Sequence, residues 1–425
     1  MNTTEQANPQ PYVTADLPGI GGRIKERVED FRVEEIPLYE ACGEGTHVYF
    51  TVIKRGVPTP VAADRIARYM GVNSHDIGVA GLKDAQAVTV QRMSLEHADE
   101  KKLAAYKDPQ IEITATTRHT NKLRPGHLAG NRFLIRIRGV GAGQVAAAQA
   151  VLDRLAKRGV PNYFGHQRFG ARNDTALLGA AMVRGDLAEF VALLLGRALP
   201  SDPPDCKAAR DAFDAGFCDR ALNRWPRHYY NERRALAAYK HKLSPKAAFD
   251  SADKRMKRLY VSAFQGGLFN EVLARRIDTL DQVFAGDLAQ KTDSGGVFRV
   301  EDQAVEQPRA DRFEISPTGP LFGYRSNLAE GPMGELEQSV LAARNLQLDD
   351  FRRVGALKVK GGRRPLRFAI LQPSLAADQD GKGDFIKIGF AAPSGCYATV
   401  VLREIMKSDA APTEAADEPE ELTED

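Results

Sequence analysis

Strand-like sequence returns at the C-terminal end of this chain after the long, mainly helical stretch 161–360, and that return constrains the fold most. RRPLRFAIL (363–371) and DFIKIGFAA (384–392) flank the polar segment AADQDGKG and read as a hairpin. GCYATVVLREIMK (395–407) follows as one helix, with Ser394 the expected N-cap. A lone hairpin is marginal in water and needs a sheet to pack on. Residues 1–160 offer one. The chain is therefore expected to form one discontinuous domain, from 1–160 and 361–408, interrupted by an inserted domain over 161–360.

The N-terminal stretch alternates strand and helix signals. HVYFTVIK (47–54) is rich in β-branched and aromatic residues. Thr59 reads as an N-cap, Pro60 as the first helical residue, and Gly71 closes the helix AADRIARYMG. Further strands are expected at 77–80, 88–95 and 111–117. RFLIRIRG (132–139) alternates with period two, so one face is buried and the other presents Arg132, Arg136 and Arg138. A helix is expected over 145–158. The middle is helical in pattern, as in LLGAAMVRGDLAEFVALLLG, with one Gly-rich β-like patch at GDLAQKTDSGGVFRV.

Charge is distributed unevenly. Eight acids and no Lys or Arg fall between Asp409 and Asp425, so the chain before this tail carries about +11 against +3 for the whole. The tail is expected to be disordered and solvated. A basic folded region favours a polyanionic partner such as nucleic acid. The four Cys lie far apart, which fits reduced cytoplasmic thiols better than a disulfide framework or a zinc site. No apolar run reaches the ~18 residues of a membrane span, and MNTTEQANPQ has no signal-peptide pattern. No metal motif, P-loop, dinucleotide fingerprint or G-x-S-x-G elbow appears. A cofactor-free enzyme using a carboxylate, or a plain RNA-binding protein, is left.

One carboxylate occupies a suggestive place. In GVAGLKDAQAVTVQR (78–92), Asp84 sits at a bend between two strands, where Gly81 would allow a sharp turn. Turn chemistry alone accounts for an Asp there. Four other stretches change its weight: IKERVEDFRVEE (24–35), LAGNRFLIRIR (128–138), VPNYFGHQRFG (160–170) and PSGCYATVVLRE (393–404). With AGLKDAQAVTVQR (80–92), in this order and spacing, they resemble the TruD family of tRNA pseudouridine synthases over most of the chain.

The resemblance implies an α+β fold. A split pseudouridine-synthase catalytic domain, with a mixed, mostly antiparallel sheet, would carry a mainly helical inserted (TRUD) domain. It implies an isomerase that detaches uracil from C1′ of its ribose, rotates it and rejoins it through C5, at uridine 13 of tRNA, without cofactor or metal. Asp84 takes the place of the family's catalytic Asp, as nucleophile towards sugar or base, or as the base removing the 2′ proton. Lys25 would hold that carboxylate charged. Phe31 and Phe133 would hold a flat base, and Asn131 would meet the uracil edge or orient Asp84. Tyr397 falls where the family usually carries Phe, and Ala85-Gln86 falls where many relatives place Arg.

Asn162, Gln167 and Arg168 would touch RNA or brace the domain junction. Lys254-Arg255 and the run from Arg352 to Arg367, which includes Arg353, Arg363 and Arg364 and has no acid, are candidate phosphate contacts. The expected partner is a tRNA substrate, with no membrane and no obligate protein partner, acting on a cytoplasmic monomer. A non-catalytic RNA-binding or RNA-chaperone protein on the same scaffold is the alternative. A nucleoside glycosidase is a weaker one, because that chemistry normally needs two carboxylates.

Overall fold

The computed structural model describes residues 10–408 apart from Arg353, and leaves the side chains of His166 and Gln167 undescribed. The acidic tail from Asp409 and the candidate contact Arg353 thus lie outside the described residues. The chain divides into two compact units. Among the described residues, one comprises Tyr12–Asn162 together with 368–408, the other Tyr163–Arg367 with 10–11. The sequence had placed the divisions at 160/161 and 360/361; the units divide at 162/163 and 367/368.

The first unit is built on an eight-stranded sheet. Its N-terminal strands are β1 (Phe31–Pro37), β2 (His47–Arg55), β3 (Gly78–Val79), β4 (Val88–Glu96), β5 (Ile111–His119) and β6 (Leu128–Arg138). The C-terminal hairpin Leu371–Asp380 and Gly383–Pro393 joins the edge of β6, and the order continues β6-β1-β4-β2-β5, with β3 on β4. The β1–β4 pair is parallel and the other pairs are antiparallel. Along β2, Val48, Phe50 and Val52 alternate inward and pack with Ile66 and Ala62 of the helix Thr59–Met70. Each such fully buried aliphatic or aromatic side chain contributes roughly 1.5–3 kcal/mol. Gly71, at φ 81, ends that helix in the left-handed conformation that glycine adopts without strain.

Five local expectations are revised. Thr59 is the first helical residue and not the N-cap, which is Pro58; its hydroxyl is engaged elsewhere. The C-terminal helix begins at Ala398 with Tyr397 as N-cap, while Ser394 donates its N–H to the Ala129 carbonyl and extends the sheet contact. The polar segment 376–380 is strand, not loop, because the hairpin strand Leu371–Asp380 is an edge strand that is mostly exposed and can carry polar residues. Gly362–Pro365 belongs to the other unit's sheet. Arg138 is also buried, not displayed: its guanidinium binds Asp30 at 2.6 and 2.7 Å and Asp380 at 2.8 and 3.1 Å.

In the second unit, helices surround a core that includes Phe190, Trp225, Phe249, Phe264 and Phe351. The long helix Lys254–Arg275 crosses Thr175–Arg184 at Gly179, where a Cβ would lie 2.1 Å from the Tyr260 carbonyl oxygen. Only glycine permits that approach. The Gly-rich patch forms strands Leu288–Lys291 and Val297–Arg299, in a four-stranded sheet with Ile315–Leu321 and Gly362–Pro365.

Candidate active site

Inward-facing polar side chains on three neighbouring strands define a place where the sheet stops being hydrophobic. On β1 the buried phase reads Phe31, Val33, Glu35; on β4 it reads Thr89, Gln91; on β2 it ends at Lys54. Register brings them together, with Val33 opposite Thr89 and Thr89 opposite Lys54. Polar groups buried this way must be paired. Glu35 and Lys54 are paired to the irregular segment between β3 and β4 that contains Gly81-Leu82-Lys83-Asp84, and Gln91 is paired to Thr59.

That segment is held at several points. The Thr59 hydroxyl accepts from Lys83 N at 3.0 Å and lies 2.8 Å from Gln91 Oε1. Lys54 Nζ donates to the Lys83 carbonyl at 3.1 Å and to the Asp84 carbonyl at 2.9 Å. Lys83 turns inward and pairs with Glu35 Oε2 at 3.2 Å, both side chains nearly inaccessible. Burial pushes the Glu35 carboxyl up, against the pull of the Lys83 ammonium. The chain bends at Ala80-Gly81, but the bend does not require glycine: Gly81 is not in the left-handed region, and a Cβ there would make ordinary contacts at 3.5 and 3.6 Å.

Asp84 itself points outward, with its side chain 38% exposed. Lys25 Nζ donates to Asp84 Oδ2 at 3.0 Å, and the lysine side chain is only 5% exposed. The same ammonium lies 4.8 Å from the Phe31 ring centroid, within cation–π range. Lys25 has a φ of 57, an unusual conformation for a side-chain-bearing residue, and such strain clusters at functional sites. Phe31 and Phe133 meet edge to face at 6.3 Å, and Phe133 meets Phe390 at 5.2 Å. Phe31 and Phe133 are both buried, so here they pack against each other and shield Lys25 and do not offer an open face.

Asn131 lies opposite Glu35 and Ala392 in the sheet. Its Oδ1 is buried with no hydrogen-bond partner among the described residues. Gly130 sets the spacing there, because a Cβ would fall 2.3 Å from the Ala392 carbonyl oxygen. Tyr397 is half-buried four residues beyond Pro393, which pairs with Gly130, so the last turn of the chain before its helix comes back to this end of β6. Lys25, Phe31, Asp84, Asn131, Phe133 and Tyr397 all belong to the first unit.

Sequence reasoning missed Lys54, Thr59, Lys83, Glu35, Gln91 and Phe390. The signal was available for some of them: Lys54, Glu35 and Gln91 fall on the buried phase of their strands, where a charged or amide side chain is out of place.

The family model described as tRNA pseudouridine synthase D (TruD) matches residues 8–405. The chain belongs to the TruD family of tRNA pseudouridine synthases. It is 46% identical over 397 residues to the tRNA pseudouridine synthase D of Geobacter metallireducens, covering 93% of this chain and 97% of that protein. An Anaeromyxobacter homologue of the same name is 39% identical over 409 residues, covering 95% and 98%. A crystal structure of a Methanosarcina mazei protein assigned to TruD superposes with a TM-score of 0.85 at 28% identity, covering 95% and 97%. The TruD family consists of isomerases, and the α+β architecture with its mixed sheet agrees with that structural match.

The candidate RNA contacts of this TruD member belong to the second unit and differ in what they can do. Lys254 and Arg255 are exposed in the first turn of the long helix. Arg352 is exposed, pairs with Asp349 at 2.8 Å and stacks 4.6 Å from the Tyr324 ring. Arg168 bonds the Ser262 hydroxyl, and Arg168 and Arg364 lie 5.1 and 4.3 Å from the Phe164 ring. Arg363 is instead internal: it pairs with Glu337 at 2.8 Å, both side chains nearly inaccessible, and donates to the Thr318 carbonyl. A guanidinium so engaged has no fork left for a phosphate, and Arg363 is dropped from the candidate surface. Among the described residues no group of three His, Cys, Asp or Glu side chains could hold a metal ion, and no helix is long and apolar enough to cross a membrane.

Proposed function

We propose that this chain isomerises uridine 13 of tRNA to pseudouridine, with Asp84 as the acting carboxylate and no cofactor. The observation that carries it is the pairing of a half-exposed Asp84 with an almost inaccessible Lys25 at 3.0 Å. A cation held there, backed by the Phe31 ring, anchors one oxygen of the carboxylate and leaves its exposed side for substrate. Lys25 engages Oδ2, which leaves Oδ1 for the ribose or the base. From there Asp84 can add to C1′ or to the uracil ring, or take the 2′ proton; each route cleaves the bond from C1′ to N1 and lets the base rotate. C5 then bonds C1′ as Asp84 is released or the 2′ proton returned, C5 loses its proton and N1 gains one. The buried Asn131 Oδ1 is an acceptor suited to an N–H on the uracil edge. Tyr397 is half-buried, unlike the buried Phe31 and Phe133, and this supports assigning the cover of the base to its ring.

Exposed cations of the second unit, Lys254, Arg255 and Arg352, with the partly exposed Arg168 and Arg364, supply sequence-independent contacts to tRNA phosphates. Purified protein incubated with a tRNA transcript tests the proposal. Carbodiimide mapping or mass spectrometry should find pseudouridine at position 13 and none in a transcript carrying cytidine there. Binding without product would leave a non-catalytic RNA-binding protein instead.

A further inference from the structure

We infer that Lys54, together with Thr59, is a positioning residue that sets the orientation of Asp84 for reaction; the inference rests on the catalytic reading of Asp84. Lys54 is fully buried at the inner end of β2. Its ammonium binds two successive carbonyls, Lys83 O at 3.1 Å and Asp84 O at 2.9 Å. These belong to the two peptide planes on either side of the Asp84 α-carbon. Anchoring both planes to one charge restricts both backbone dihedrals of Asp84, and with them the direction of its Cα–Cβ bond. The Thr59 hydroxyl adds a third point by accepting Lys83 N at 3.0 Å, and its contact with Gln91 Oε1 at 2.8 Å ties that point to β4.

The segment around Asp84 has no regular ladder to do this work, since residues 81–87 lie outside strand and helix. Its carbonyls need donors whatever the function. A bound water or a neutral donor could satisfy a carbonyl singly, whereas one ammonium bridging two carbonyls also fixes their relative geometry. Lys25 acts on the carboxylate and Lys54 on the backbone, so the two lysines constrain opposite ends of the same residue. Misplacing a reacting group by about 1 Å can cost 10²-fold in rate.

The test compares Lys54→Met, which keeps the length of the stem and removes the donor, with Thr59→Val and Thr59→Ser. Each is measured for melting temperature, tRNA Kd, KM and kcat at a temperature well below melting, beside the wild-type protein. The expected result is kcat lower by about 10²-fold in Lys54→Met, with KM and Kd within about twofold of wild type. Thr59→Val should fall in the same way and Thr59→Ser should retain most activity. Folded Lys54→Met with wild-type kcat, or a loss that only tracks the unfolded fraction, overturns the inference. If Lys54→Met does not fold, the Thr59 pair decides: equal kcat in Val and Ser variants overturns it. An inactive wild-type protein would instead overturn the catalytic reading beneath it.

Discussion

Lys25 Nζ donates to Asp84 Oδ2 at 3.0 Å from a side chain that is itself almost wholly covered. The asymmetry matters, because the cation is fixed and shielded while the anion keeps a solvent-facing side. Substituting Lys25 by Met removes the charge and keeps the stem against Phe31. It is expected to lower kcat on the order of 10²-fold, as for loss of one preorganised donor, with tRNA affinity largely unchanged. Steady-state kinetics with filter binding checks this.

Phe133 sits between Phe31 and Phe390 at 6.3 and 5.2 Å and is buried. Phe133→Ala should destabilise the first unit by about 3–5 kcal/mol, the usual cost of emptying a buried aromatic site. Phe133→Leu should cost clearly less and retain activity. Urea unfolding followed by fluorescence or circular dichroism separates the two.

The Arg138 guanidinium, with Lys382 N, holds the Asp380 carboxyl below its ordinary value of 3.8. A carboxylate lowered in the folded state contributes stability that is present above its unfolded value and is lost as pH falls through its folded one. The tie between the edge strand and β6 should therefore weaken as pH drops below about 4. Asp380→Asn should lower stability at pH 7 and flatten the acid limb of the stability curve. Thermal melts of both proteins between pH 7 and pH 2 show whether it does.

Lys254 and Arg255 are exposed and lie on the first turn of the long helix. If both touch phosphates, replacing both by Ala should weaken tRNA binding uniformly and make the slope of log K against log salt shallower by about 1.5. Arg363→Ala, by contrast, should lower stability through the stranded Glu337 and leave the salt slope unchanged.

Much of the architecture was legible because period-two patterns and a returning hairpin leave few alternatives. The alternation of 132–139 put β6 in a sheet, and the late strands had to find it. Its failure at Arg138 has a physical cause: pattern marks which face a residue occupies, not whether distant acids such as Asp30 and Asp380 cover it. The hairpin segment 376–380 was misread as loop for a related reason, since an edge strand needs no apolar side chains. Asp84, Lys25 and Asn131 were proposed from short motifs with a known counterpart, which single out side chains and not the backbone contacts behind them. Lys54 and Thr59 act on backbone from positions that look like ordinary strand and helix-cap residues, and only the folded register shows what they hold.

The most direct measurement is the yield of pseudouridine from a single-turnover reaction with excess Asp84→Asn protein and tRNA, scored by mass spectrometry beside wild type. Asn keeps the size and removes the charge. The predicted result is correct folding, tRNA bound with near wild-type Kd, and a rate lower by at least about 10²–10⁴-fold. Conversion by the Asp84→Asn protein at the wild-type rate would contradict the central role given to this carboxylate.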